Sequence, residues 1–81
     1  QNYPNPWNPT TKISFQVPKT SFVTIKVFSI TGKEIRTLVS KEMNPGTYEI
    51  GFNGASLPGG VYFYRMTTEE FTATRRMILV K

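Results

Sequence analysis

Lys12-Ile13-Ser14-Phe15-Gln16-Val17, closed by Pro18 and followed by Val23-Thr24-Ile25-Lys26-Val27, decides the fold class. Apolar and polar residues alternate strictly in both stretches. That period puts Ile13, Phe15 and Val17 on one face of a strand and Lys12, Ser14 and Gln16 on the other. The β-branched residues among them suit a pleated, half-buried surface. The same pattern returns at Tyr48-Glu49-Ile50-Gly51-Phe52, and residues 61–66 and 71–80 read as a last pair of strands joined across 67–70. Ile35, Thr37 and Val39 alternate with Arg36 and Leu38, and the sequence leaves the inward face of that strand open.

Turn signals separate these segments. Ser29-Ile30-Thr31-Gly32-Lys33 is a hairpin loop with Gly32 suited to a positive φ. Asn44-Pro45-Gly46 is a turn, and residues 53–60 form a Gly/Pro-rich loop. No stretch carries an apolar face of helical period. About seven short strands at this spacing predict an all-β, antiparallel, Ig-like β-sandwich, without the paired cysteines of the immunoglobulin pattern. The expected core is Ile13, Phe15, Val23, Ile25, Val27, Tyr48, Ile50, Phe52 and Val61.

Upstream, residues 1–10 hold three prolines and three asparagines. Each proline fixes its own φ and pushes the preceding residue toward extended geometry, so the segment is an extended, turn-rich lead-in. Tyr3 or Trp7 is expected to fasten it to the body. The chain is therefore expected to be one domain over 1–81, with a lead-in at 1–10 and a β-sandwich at 11–81. Gln1 opens the sequence in place of methionine, which suggests a piece of a longer protein with any export leader elsewhere.

The 81 residues carry a net charge of +5, with no cysteine, histidine or aspartate. Those absences remove thiolate nucleophiles, Ser-His-Asp triads and the usual metal ligands, so no catalytic, cofactor or metal site is expected. Glu69-Glu70 is the sole adjacent carboxylate pair, and it reads as a solvated turn. Ser40-Lys41 is a turn-flanking dipeptide, and Gly59-Gly60 lacks the spacing of a phosphate loop. The ten Lys and Arg are dispersed, which argues against nucleic acid. No apolar run approaches the ~20 residues of a membrane span. Tyr3, Trp7, Tyr48, Tyr62 and Tyr64 offer a rival reading as a sugar-stacking platform in a carbohydrate-binding module of a secreted glycosidase. A structural Ig-like spacer is a third reading.

Four blocks in order carry a resemblance over essentially the whole chain. Gln1-Asn2-Tyr3-Pro4-Asn5-Pro6-Trp7-Asn8-Pro9-Thr10-Thr11 resembles the opening of the type A C-terminal sorting domains of type IX secretion cargo, with Trp7 in place of the commoner Phe. Residues 27–38 resemble a second block, with Gly32, Lys33 and Glu34 in place. Residues 57–64 resemble the Leu-x-x-Gly-Val-Tyr-Phe-Tyr block through Gly60, Val61 and Tyr62. Residues 76–81 resemble the terminal signature that runs from a basic residue, here Arg76, to a closing Lys81. Ser29 and Asn53 stand where the family often carries aspartate, Gly59 where serine or a similar small residue is usual, and Arg76 where a lysine is. The motif positions carried over are Pro4, Asn5, Pro6, Gly32, Lys33, Gly60, Val61, Tyr62, Arg76 and Lys81.

The resemblance implies an Ig-like β-sandwich akin to that of flagellar hook-capping proteins. It implies a non-catalytic signal at the carboxyl terminus of a cargo in a Gram-negative bacterium, recognised in the periplasm by an outer-membrane translocon. A sortase-like peptidase then removes the signal, leaving the cargo secreted or on the cell surface. An edge of the last strand could serve recognition by β-augmentation.

Overall fold

The computed structural model describes residues 9–80 and, as backbone alone, the short strand Asn2–Tyr3. The chain is all-β. Six strands of eight to ten residues follow that two-residue β1: β2 (Thr10–Val17), β3 (Ser21–Ser29), β4 (Glu34–Met43), β5 (Gly46–Asn53), β6 (Gly60–Thr67) and β7 (Thr72–Leu79). They form two antiparallel sheets, ordered β1-β2-β5 and β4-β3-β6-β7. Every strand boundary coincides with a break in the two-residue period, at Pro18, Gly32, Asn44-Pro45, Pro58-Gly59 or Glu69-Glu70.

The inner faces of both sheets contribute to a single apolar cluster. Ile13, Phe15, Val17 and Phe52 come from one sheet, and Val23, Ile25, Val27, Tyr64, Met66, Met77 and Leu79 from the other. Val23, Ile25 and Val27 are fully buried, as their alternation requires. Tyr48 and Ile50 lie at the margin and are half-buried. Tyr48 stacks on Phe15 with ring centroids 5.5 Å apart, and its hydroxyl donates to the Asn44 carbonyl at 2.6 Å. This bond ties the β4–β5 turn to the strand that follows it.

Val61 does not enter the core. In β6 the inward residues are Tyr62, Tyr64 and Met66, while Val61 and Phe63 are half-buried on the outer face. Every position of Val61-Tyr62-Phe63-Tyr64 is apolar or aromatic, so either parity would bury a credible set. Pairing decides it, because Tyr64 sits opposite the inward Val27 and Tyr62 opposite the inward Met77. Directly opposed residues share a face.

The ambiguity of β4 has a similar cause. Its register with β3 shifts between Ile25 and Lys26 and again between Val27 and Phe28. Each shift inserts a residue and resets the inward parity. Val39 and Met43 are buried, Leu38 packs on the core beside Val39, and Ile35 is exposed. On this side Arg36 links the two sheets. Its guanidinium lies 5.0 Å from the centre of the Phe52 ring, and Nη1 donates to the Asn53 carbonyl of β5 at 2.8 Å. Trp7 and the side chain of Tyr3, expected to anchor the lead-in, lie outside the described residues.

A candidate recognition face on the four-stranded sheet

The β3–β4 turn, the start of β6 and the end of β7 meet at one end of the four-stranded sheet. The turn is held by the Ser29 N–H donating to the Lys33 carbonyl at 2.8 Å and the Gly32 N–H to the Ser29 carbonyl at 2.9 Å. Gly32 has φ +88°, the left-handed conformation expected of it. Ser29 then pairs with Tyr62 across β6, and Gly60 pairs with Leu79 across β7. Gly60 has φ +144°, which an L side chain rarely adopts, although the space around it is open. Tyr62 points inward, 7 % exposed, and its hydroxyl donates to the Pro58 carbonyl at 2.5 Å. That bond moors the 54–59 loop to the core.

The outer face of the same sheet carries two cross-strand rows. Phe28 faces Phe63, which faces Arg76; one step along, Lys26 faces Arg65, which faces Thr74. The Arg65 guanidinium lies 4.9 Å from the centre of the Phe28 ring, and Nε donates to Thr74 Oγ1 at 3.4 Å. Val61 and Ile78 pair at the end of the face, and Ile30 of the β3–β4 turn is largely exposed. Phe28, Ile30, Phe63 and Arg65 line a shallow recess of about 190 Å³. At this end of the face Glu34 meets Lys26 at 3.4 Å, and at the far end Glu42 stands opposite Phe22. The surface is thus apolar and aromatic with a basic border. Its chemistry is that of a docking face.

Six of the positions singled out in the sequence converge here: Gly32, Lys33, Gly60, Val61, Tyr62 and Arg76. Pro4, Asn5, Pro6 and Lys81 lie outside the described residues. A family model for the secretion system C-terminal sorting domain matches residues 1–81, the whole length given. The chain belongs to that family, the type IX sorting domains. No curated protein and no solved structure matches it. As a type IX sorting domain it is a signal carried at the carboxyl end of a secreted or cell-surface protein.

Two departures from the sorting-domain pattern have a structural explanation. Ser29 Oγ accepts the Lys33 N–H at 3.2 Å, and Asn53 Oδ1 accepts the Ala55 N–H at 2.9 Å. An aspartate carboxylate would accept the same bonds, so these positions hold turns. Sequence reasoning missed Phe28, Ile30, Phe63 and Arg65. The sequence held one hint, Arg65, whose charge favours an outward place and with it Val61 and Phe63; the parity itself is set by pairing with β3 and β7. The sugar platform loses two members, because Tyr62 and Tyr64 face the core. Burial also raises the Tyr64 phenol above its ordinary pKa, partly opposed by Arg75. Glu69 and Glu70 are exposed in the β6–β7 turn, where Glu70 meets Lys19 at 2.9 Å.

Proposed function

We propose that residues 1–81 form one Ig-like β-sandwich domain that acts as a non-catalytic export signal. The type IX outer-membrane translocon recognises it in the periplasm, and a sortase-like peptidase removes it at the cell surface. The observation that carries this reading is the gathering of family positions from three separate blocks at one end of one sheet, beside an apolar, basic-edged face. Gly60 and Tyr62 serve the fold there, one through its backbone and the other through a buried ring. Arg76, Lys81 and the terminal strand serve recognition, with Gly32 and Lys33 shaping the turn beside Arg76's end of the sheet.

A reporter directed to the periplasm of a type IX-competent host and fused ahead of residues 1–81 tests this. The intact fusion is expected at the surface or in the medium. The double change Arg76→Glu, Lys81→Glu is expected to leave a folded reporter in the periplasm. Export of that variant at the parent level would refute charge recognition. Retention of the intact fusion, while a known sorting domain exports the same reporter, would refute the function.

A further inference from the structure

Between β2 and β7 the two sheets leave an open groove. One lip is β2, which β1 covers at Lys12 and Ile13; among the described residues no strand pairs with that side of β2 at Phe15, Gln16 or Val17. The other lip is β7, the outer strand of the second sheet. The groove comprises about 230 Å³ beside Phe15, Tyr64 and Ala73, and about 380 Å³ beside Gln16, Val17 and Phe71, where Gly46 and Thr47 of β5 also border it. It therefore reaches core side chains, and Phe71, 41 % exposed, stands in both parts.

β1 runs antiparallel to β2, with Asn2 opposite Ile13 and Tyr3 opposite Lys12. Its direction, followed backward from Asn2 toward the fused cargo, points along the uncovered lip. We propose that the three residues immediately before Gln1 continue β1 and close the groove, opposite Phe15, Gln16 and Val17. The proposal rests on reading the domain as a tail behind a cargo. Opposed residues share a face, so the first and third residues before Gln1 direct their side chains into the groove beside Phe15 and Val17. The second faces solvent beside Gln16. Main-chain bonds supply the affinity whatever those side chains are, which suits a tail that must follow another protein domain. The junction is then a strand of the sheet, and the same pairing removes an open edge that would otherwise attract other chains.

Hydrogen exchange in the full cargo–tail protein tests this, with the three residues before Gln1 replaced by prolines. Amides of residues 15–17 that point away from β5 are expected to exchange slowly in the parent and about tenfold or more faster in the variant, with residues 23–27 unchanged. Fast exchange in the parent, or equal protection in both, overturns the proposal. Protection that persists in the variant and grows with protein concentration assigns the lip to a second copy, and overturns it too. Should the prolines also loosen residues 23–27, a Gln16→Cys change paired with a cysteine two residues before Gln1 decides: a crosslink forms on oxidation if the register holds. Its absence with both thiols reactive overturns the proposal. Neither readout involves export, so failure here is distinguishable from failure of the sorting function.

Discussion

Tyr62 separates two contributions that one residue makes at once. Its ring fills the core and its hydroxyl holds the Pro58 carbonyl, four residues back, at 2.5 Å. Tyr62→Phe keeps the ring and removes the tether. The bond has a neutral donor and acceptor, and the exposed Pro58 can turn its freed carbonyl to water, so the expected cost is about 1 kcal/mol. For a domain of this size that lowers Tm by roughly 4–8 °C. Tyr62→Ala also empties a site that is 7 % exposed and costs about 3–5 kcal/mol, a large share of the ~5–15 kcal/mol available to a small domain. Urea melts followed by circular dichroism measure both. Proteolysis of the 54–59 loop gives a second readout, and Tyr62→Phe should speed cleavage there before global unfolding does. Equal destabilisation by Phe and Ala would mean that the ring contributes nothing. A Phe variant with unchanged stability and loop cleavage would mean that the tether does not.

Arg36→Met keeps much of the side-chain stem but loses the ring contact and the bond to Asn53; about 1–2 kcal/mol of destabilisation is expected in the same melts, and an unchanged midpoint would dismiss the link between sheets. Gly32→Ala meets no neighbour yet must hold φ +88°, so about 1–2 kcal/mol should be lost without any change in the unfolded chain's compactness, read from an unchanged m-value. Two groups hold their protons more tightly when folded: Lys19, through its hydrogen bond and charge pairing with Glu70, and Tyr64, through burial. The native chain therefore keeps more protons than the unfolded chain above the ordinary values of 10.0 for tyrosine and 10.5 for lysine. Stability from both is intact below that range and falls as pH rises through the shifted values. Denaturation midpoints at increasing pH should decline there, less steeply in Tyr64→Phe; a rise would contradict the sign.

The sequence made legible those strands whose two faces differ in chemistry. β2 and β3 alternate apolar with polar side chains, and one parity alone buries an apolar set, so Ile13, Phe15, Val23, Ile25 and Val27 lie where the pattern puts them. β6 is apolar on both faces over Val61-Tyr62-Phe63-Tyr64, and its parity follows from partners distant in sequence. β4 changes parity twice through register shifts, which no fixed period can express. Phe71 was expected at the start of the last strand and instead stands beside β7 at the groove. The Thr68 hydroxyl accepts the N–H groups of Glu70 and Phe71, which prolongs the turn to that point. The candidate face was half legible for the same reason. Its turn glycine and Arg76 have marked chemistry, but the row of Phe28 and Phe63 exists only through registry.

The two outer strands of the four-stranded sheet differ in a way that bears on self-association. β4 is interrupted by two register shifts and carries Lys41 and Glu42 exposed, whereas all of β7 pairs with β6 without a shift. A sheet with two straight margins can add copies of itself without limit, because each addition regenerates the margin it used. A sheet with one kinked, charged margin can join another across its straight side, and growth then stops at the pair. β4 thus acts as a chain terminator: it is the margin at which growth by strand addition stops.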